Sequence, residues 1–373
     1  VSGILLEDPD KQPAQIKIID FTDGTPMLDG VPLIDADGNQ TPLSAANGNA
    51  SFNFEPDPNF SGTALVEYVV IDPDVAATTS APSTISIPVA PVNDAPTLQS
   101  SGQPVTYTEA SAPVRLLTDL TINDIDSAKI SEIRLETSLG DGDVIVVPDL
   151  YGFSAQTNSG GTISISGSNN ITLKNARDYI AQLKFYSTSE NLIDPTTGQD
   201  RSLSVKVRVA DDEGELSREV EKVVSLIDIN DAPEFTWTAA DQVASITENG
   251  SGLTVGTSTL GNLLDPEGDL ISELTVEISQ GYSATFDSLD VTDAVAGDAR
   301  VSLTFDQAAG SLTFTSTTTT GLSAADFMDL LSGVTYKNTN ENPLSGPSKG
   351  IAITVKDVKG ATSTSETKNI EIK

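Results

Sequence analysis

Apolar and polar residues alternate along most of this chain. Leu203, Val205, Val207 and Val209 are separated by Ser204, Lys206 and Arg208. The same period recurs at Ile85, Ile87 and Val89, at Leu274, Val276 and Ile278, at Val301, Leu303 and Phe305, and at Ile351, Ile353 and Val355. A period of two puts one face of each segment on a core and the other in water, as antiparallel strands of a sandwich require. Val, Ile and Thr fill these runs, and Gly, Asn and Asp punctuate them. Two stretches change to a helical period. Ser323 with Asp326 three residues on resembles a capping box, with Phe327, Leu330 and Leu331 on one face. The stretch 172–183 matches it, with Ala176, Tyr179, Ile180 and Leu183 apolar, and both helices are expected to seal one edge of a sandwich.

The pattern repeats on a larger scale. Val92-Asn93-Asp94-Ala95-Pro96 recurs 137 residues later as Ile229-Asn230-Asp231-Ala232-Pro233. Each copy is followed by a Thr-Glu pair, Thr108-Glu109 and Thr247-Glu248, and then by an acidic turn, Asn123-Asp124-Ile125-Asp126 and Asp265-Pro266-Glu267-Gly268-Asp269. Further on, a string from Leu183 to Asn191 matches one from Val334 to Asn342, and an alternating strand runs into an acidic hairpin at Asp211 and at Asp357. Landmarks in one order at near-constant spacing define a repeat. The expected domains are 1–95, 96–232 and 233–373. In the first, the acidic turn Glu7-Asp8-Pro9-Asp10 stands almost at the start. Spacing therefore predicts that this repeat has lost its opening strand and its Glu, or takes that strand from elsewhere. The start at Val1 reads as a cut from something longer.

Charge narrows the chemistry. Asp and Glu number 54 against 20 Lys and Arg, a net charge of −34, with no His and no Cys. Nucleic acid and anionic membranes would be repelled. Catalytic triads, thiolate metal sites, disulfides and the usual zinc, copper and haem ligations lose their side chains. Carboxylates remain, and they suit hard cations such as calcium. No run of about 18 apolar residues spans a bilayer. Disorder is the weaker expectation for so acidic a chain, because its 38% hydrophobic residues are patterned.

Taken together, the Asn-Asp-Ala-Pro junctions, the acidic turns, the hairpins and the Tyr336-Lys337-Asn338-Thr339-Asn340-Glu341-Asn342 string resemble bacterial cadherin-like repeats. Such repeats occur in large surface adhesins, including RTX-type adhesins. The resemblance covers the whole chain. It implies an all-β fold of tandem Greek-key β-sandwiches (cadherin-like or immunoglobulin-like), each full repeat with one short helix, joined end to end and stiffened by Ca2+ at the junctions. At the junction of domains 2 and 3 it implies a ligand set of Glu109, Glu190, Asp228, Asn230, Asp231, Asp265, Glu267, Asp269 and Asp357. At the junction of domains 1 and 2 it implies Asn93, Asp94, Glu55, Asp57, Asp124, Asp126 and Asp211. This second set is poorer, because Pro91 stands where the other linker has Asp228. Asp8, Asp10, Asp72 and Asp74 are expected to face a preceding domain, and Glu248 and Glu341 a following one.

The function expected is that of a calcium-rigidified extracellular spacer in a bacterial cell-surface adhesin, supporting adhesion or biofilm formation. Its partners are then the neighbouring domains of the same long chain, with any host or surface ligand held by other regions, and it is a monomer. A glycan-, peptide- or self-binding module is the alternative; it needs an exposed aromatic patch, and aromatic residues make up only 5%. An enzyme is not expected, since no carboxylate pair stands outside the junctions. Asp35-Ala36-Asp37-Gly38-Asn39 hints at an EF-hand loop but lacks the closing Glu, so a tight turn is expected. Trp237 is expected in the core or at its rim.

Overall fold

The computed structural model describes the chain except residues 1, 6–13, 45–48, 73–77, 158–161, 168–170, 239–242, 248–249, 257–261, 342–348 and 373. Its strands fall into three sets that share no sheet, over residues 2–89, 97–227 and 234–372. Each set surrounds its own apolar core. The protein is a tandem array of β-sandwiches.

The second and third sandwiches have the same topology. In the second, a six-stranded sheet runs in the order Val105–Thr108, Val220–Ile227, Ser202–Asp211, Ile130–Thr137, Thr162–Gly167, Phe153–Thr157. Facing it, a three-stranded sheet holds Val114–Arg115, Lys184–Ser187 and Asp143–Val146. The third repeats both, from Val243–Ile246 through Glu366–Ile372, Lys349–Asp357 and Ile271–Gln280 to Ser311–Ser316 and Val301–Asp306. Alternation explains the layering: Leu203, Val205, Val207 and Val209 are buried, and so are Ile351, Ile353 and Val355. Val301 follows the rule, but Phe305 at the far end of its edge strand is 41% exposed. Nothing pairs beyond that strand among the described residues.

One ladder differs from the rest. In each of these two sandwiches the first strand, Thr97–Gln99 or Glu234–Thr236, pairs antiparallel with Thr121–Asn123 or Asn262–Leu264, and the second pairs parallel with the last one, Val105–Thr108 on Val224–Ile227 and Val243–Ile246 on Asn369–Ile372. The second strand thus runs beside the place where the chain leaves the sandwich, and the residue after it lies next to the linker.

Helices Leu173–Ile180 and Ala324–Ser332 close the core where the helical period predicts. Thr172 caps the first through its hydroxyl, and Ser323 with Asp326 forms a reciprocal capping box on the second. A single further turn, Asp293–Ala296, buries Val295 and is too short to show a period in sequence.

The two layers are also tied by charge. Asp143 of the small sheet has a fully buried side chain and takes a bidentate bond from Arg201, at 2.9 Å on both oxygens. Asp287 is its counterpart, held by Lys349 Nζ at 2.8 Å and by the Tyr336 hydroxyl at 2.7 Å. Trp237 lies in the core, edge-on to Phe235, with Nε1 donating to the Glu366 carbonyl and Lys368 over its ring.

The first sandwich is smaller. Its four-stranded sheet runs Leu43–Ser44, Gln15–Phe21, Gly62–Ile71, Ser83–Val89, against a three-stranded sheet of Val31–Pro32, Gly24–Leu28 and Asn53–Pro56. Here the last strand, Ser83–Val89, is the edge of its sheet among the described residues.

Candidate metal centre

Glu109 follows directly on the parallel ladder, so its backbone sets its side chain against the linker. Its N–H donates to the Ile227 carbonyl at 2.9 Å, and its Oε2 accepts the Ile229 N–H at 2.8 Å. The linker is held from the other side by Asp228, whose Oδ1 accepts the Leu192 N–H at 2.7 Å. These ties gather one carboxylate oxygen each from Glu109, Glu190 and Asp231 within 4.8 Å of one another.

The third sandwich presents a second cluster. Asp265 folds its own turn, accepting the N–H groups of Glu267 (3.2 Å) and Asp269 (2.8 Å) on Oδ1. Gly268, at φ +78°, supplies the left-handed residue this turn needs. As a result, oxygens of Asp265, Glu267 and Asp269 also fall within 4.8 Å. Asp357, fully buried, accepts the Gly360 and Ala361 N–H groups on Oδ1 and the Asn230 side-chain amide on Oδ2 at 2.9 Å. Two more bonds cross the junction: Asp231 N–H to Glu267 Oε2 at 3.1 Å, and Asn191 Nδ2 to the Pro266 carbonyl at 3.2 Å. All nine residues of the expected set therefore stand at this junction.

What they leave over is unusual. Glu109 Oε1, Asn230 Oδ1, Asp231 Oδ2, Asp265 Oδ2 and Glu267 Oε1 are buried and have no hydrogen-bond partner. Nearly all buried polar atoms in folded proteins have one. Asp269 differs, since its Oδ2 faces Lys359 Nζ at 2.9 Å. Protonation responds to this crowding. Burial pushes the Glu109 and Asp265 carboxyls up, with Asp231, Asp228 and Glu190 adding to the first and Asp269 and Asp357 to the second. Glu267 is pushed up to about 7, by burial first and then by Asp231, Asp265 and Asp228.

The first junction repeats the plan with fewer charges. Asn93 Nδ2 donates to Asp211 Oδ2 at 2.8 Å, as Asn230 does to Asp357. Asp94 N–H donates to Asp126 Oδ2 at 2.9 Å, as Asp231 does to Glu267. Asp124 Oδ1 gathers the Asp126 and Ser127 amides, and Asp211 Oδ1 those of Glu213, Gly214 and Glu215. Only Asp124 Oδ2 is buried without a partner here among the described residues. Burial raises the Asp124 carboxyl, while the Asp94 N–H holds that of Asp126 below its ordinary value. Glu55 and Asp57 are exposed, and neither lines the crevices of about 370 and 320 Å³ beside this linker. Asn59 and Phe60 line one of them instead, with Asp94 and Asp126. Val92 is 80% exposed and Ile125 is 65% exposed, so this joint is open.

Asp72 is half-buried just past the strand Gly62–Ile71. Asp8, Asp10, Asp74 and Glu248 lie outside the described residues, and Glu341 is exposed. Asp35 spends its carboxylate on a tight turn, accepting the Asp37 and Asn39 amides. Sequence reasoning missed Asn191 and Lys359. Both sit inside strings that mark the repeat, but nothing in residue type distinguishes Asn191 from a turn former or Lys359 from a solvated cation.

No protein-family model matches the chain. Halomucin of Haloquadratum walsbyi is 32% identical over 109 residues, which is 29% of this chain and 1% of that protein's length. The protocadherin gammaB7 EC3–6 cis-dimer structure resembles the chain with a TM-score of 0.36 at 13% identity, over 97% of this chain and 66% of that one. For protocadherin gamma B2 extracellular cadherin domains 3–6 the values are 0.35 and 14%, over 100% and 68%. Similarity this low carries nothing about chemistry or partners.

Proposed function

We propose that the junction of the second and third sandwiches is a calcium site, and that calcium makes this joint a strut. One observation carries the proposal: five buried oxygens from both sides of the joint, four of them carboxylate, have no hydrogen-bond partner. The donor set fits the ion. It is all oxygen, it mixes carboxylates with an amide carbonyl, and it offers enough groups for the 6–8 ligands calcium takes. Glu109, Glu190, Asp228, Asn230 and Asp231 would hold the ion from below and Asp265, Glu267, Asp269 and Asp357 from above. Calcium supplies positive charge that offsets the repulsion among these groups. The chain itself positions them, through the Asn230–Asp357 and Asp231–Glu267 bonds that cross the joint.

At the first junction the Asn93–Asp211 and Asp94–Asp126 bonds repeat the plan, but Pro91 stands in the place of Asp228, so it binds fewer ions or binds them more weakly. The three sandwiches then act as domains, 1–95, 96–232 and 233–373. The chain serves as an extracellular spacer in a bacterial surface adhesin of the RTX type, supporting adhesion or biofilm formation. Extracellular modules bind calcium at about 10⁻⁴–10⁻³ M, so such a spacer is flexible where calcium is scarce and stiff outside the cell. Small-angle scattering tests the mechanism. The maximum dimension should grow when calcium replaces chelator; an unchanged value overturns it.

A further inference from the structure

The second and third sandwiches each bury a carboxylate of the small sheet, but they give it different partners. Asp143 is held by Arg201, and Ser187 stands opposite it on the neighbouring strand. In the third repeat Asp287 takes that place, Asn338 stands opposite it, and the cation is Lys349. Holding a carboxylate needs no more than the first arrangement. The second differs in reactivity. A guanidinium stays charged, whereas an amine can give up its proton and attack a carbonyl. Asn338 offers an amide carbon to attack, and Ser187 offers none.

The bonds around Asp287 arrange these groups for a reaction. Lys349 Nζ donates to Oδ2 at 2.8 Å, and the Asn338 side-chain amide donates to Oδ1. One carboxylate therefore bridges an amine and a primary amide. The Asn338 Oδ1 accepts the Asn340 N–H at 3.1 Å, a donor placed where negative charge would develop during attack. Lys349 Nζ also donates to the Gly281 carbonyl, and the Tyr336 hydroxyl donates to Asp287 Oδ1 at 2.7 Å, so amine and carboxylate are both fixed. The Asp287 side chain is fully buried, and Asn338 and Tyr336 are buried around it, which keeps competing water away.

We propose that Lys349 and Asn338 join in an isopeptide bond between the two sheets of the third sandwich, with Asp287 as the proton carrier. The bond links strand Val334–Asn338 of the small sheet to strand Lys349–Asp357 of the large one. Asp287 Oδ2 takes a proton from the Lys349 ammonium, and the freed lone pair of Nζ attacks Asn338 Cγ. The carbonyl electrons move onto Oδ1, against the Asn340 N–H. As they return, the Cγ–Nδ2 bond breaks and Nδ2 leaves as ammonia. The protons that Nζ loses pass through Asp287 to the leaving nitrogen. One ammonium ion is released and Asp287 ends as a carboxylate, so atoms and charge balance with no further reactant. None of these steps rests on the calcium reading of the junctions.

The experiment is mass spectrometry of the full chain, folded and incubated until its mass is constant. The chain should be lighter than its sequence by one ammonia, and trypsin should no longer cut after Lys349. Fragmentation of the tryptic peptide should place the link between Asn338 and Lys349. Lys349→Arg and Asn338→Ser bring in the residue types that serve the second repeat, so both chains should fold, as circular dichroism checks, and both should show the full mass. A full mass for the folded, unaltered chain overturns the proposal. So does a missing ammonia that persists in Lys349→Arg, which would mark a cyclic imide at Asn338 instead. A folded Asp287→Asn chain that is still cross-linked overturns Asp287 as the proton carrier.

Discussion

Burying a carboxylate without a partner penalises its charged form, and Glu109, Asp265 and Glu267 concentrate that penalty at one joint. The sign of the pH dependence follows. Glu267 holds its proton up to about pH 7 when folded, above its ordinary value of 4.5, so the folded state binds more protons than the unfolded one in between. In chelator, stability should therefore be fully present below about pH 4.5 as far as this group is concerned, and be lost as pH rises through 7. A melting series at pH 5.5 and 8 checks this; with calcium bound, the trend should vanish. Substituting Glu109→Gln removes a charge but keeps the shape. Calorimetry should show calcium affinity falling about tenfold or more, while the melting temperature in chelator stays level or rises. The acidic ligands were legible one by one because each sits in a repeated string. Their unequal burial was not: Asp124 and Asp265 hold the same place in their turns, yet one is half-buried and the other buried, since only the joint packed around them decides that.

Strands and helices were legible for a simpler reason. A two-residue period has one solution when a core lies on one side, and a Ser-x-x-Asp box has one helix to cap. The inter-sheet ties escaped. Asp143 reads as part of a hairpin turn with Asp141 and Gly142, and its bond to Arg201, 58 residues on, leaves no local trace. Because the Asp143 side chain is fully buried, removing its partner with Arg201→Met should cost about 3–5 kcal/mol, as measured by denaturant unfolding. The double variant with Asp143→Leu should recover much of that loss. The parallel strands are legible only through the Thr-Glu pair that follows on them, and their pairing reflects which edge the fold leaves open.

At the scale of the whole molecule, two joints built on one plan differ in charge and cover. The chain has no cysteine, so introduced pairs report each joint separately. Dyes at exposed Thr63 and Ser166 span the first joint, and dyes at exposed Ser166 and Ser302 the second. On adding calcium, the energy-transfer distribution of the second pair should narrow clearly more than that of the first. An equal narrowing would contradict the unequal joints. The order of the repeats was plain from spacing, but the openness of the first joint was not; Pro91 announces a missing charge and says nothing of an exposed Val92 or Ile125.

The parallel closing ladder has a mechanical consequence. When such a chain is pulled from its ends, the second and last strands of one sandwich are dragged in opposite directions along their shared ladder. The four residue pairs between Val105–Thr108 and Val224–Ile227 then bear load together, and so do those of the third repeat.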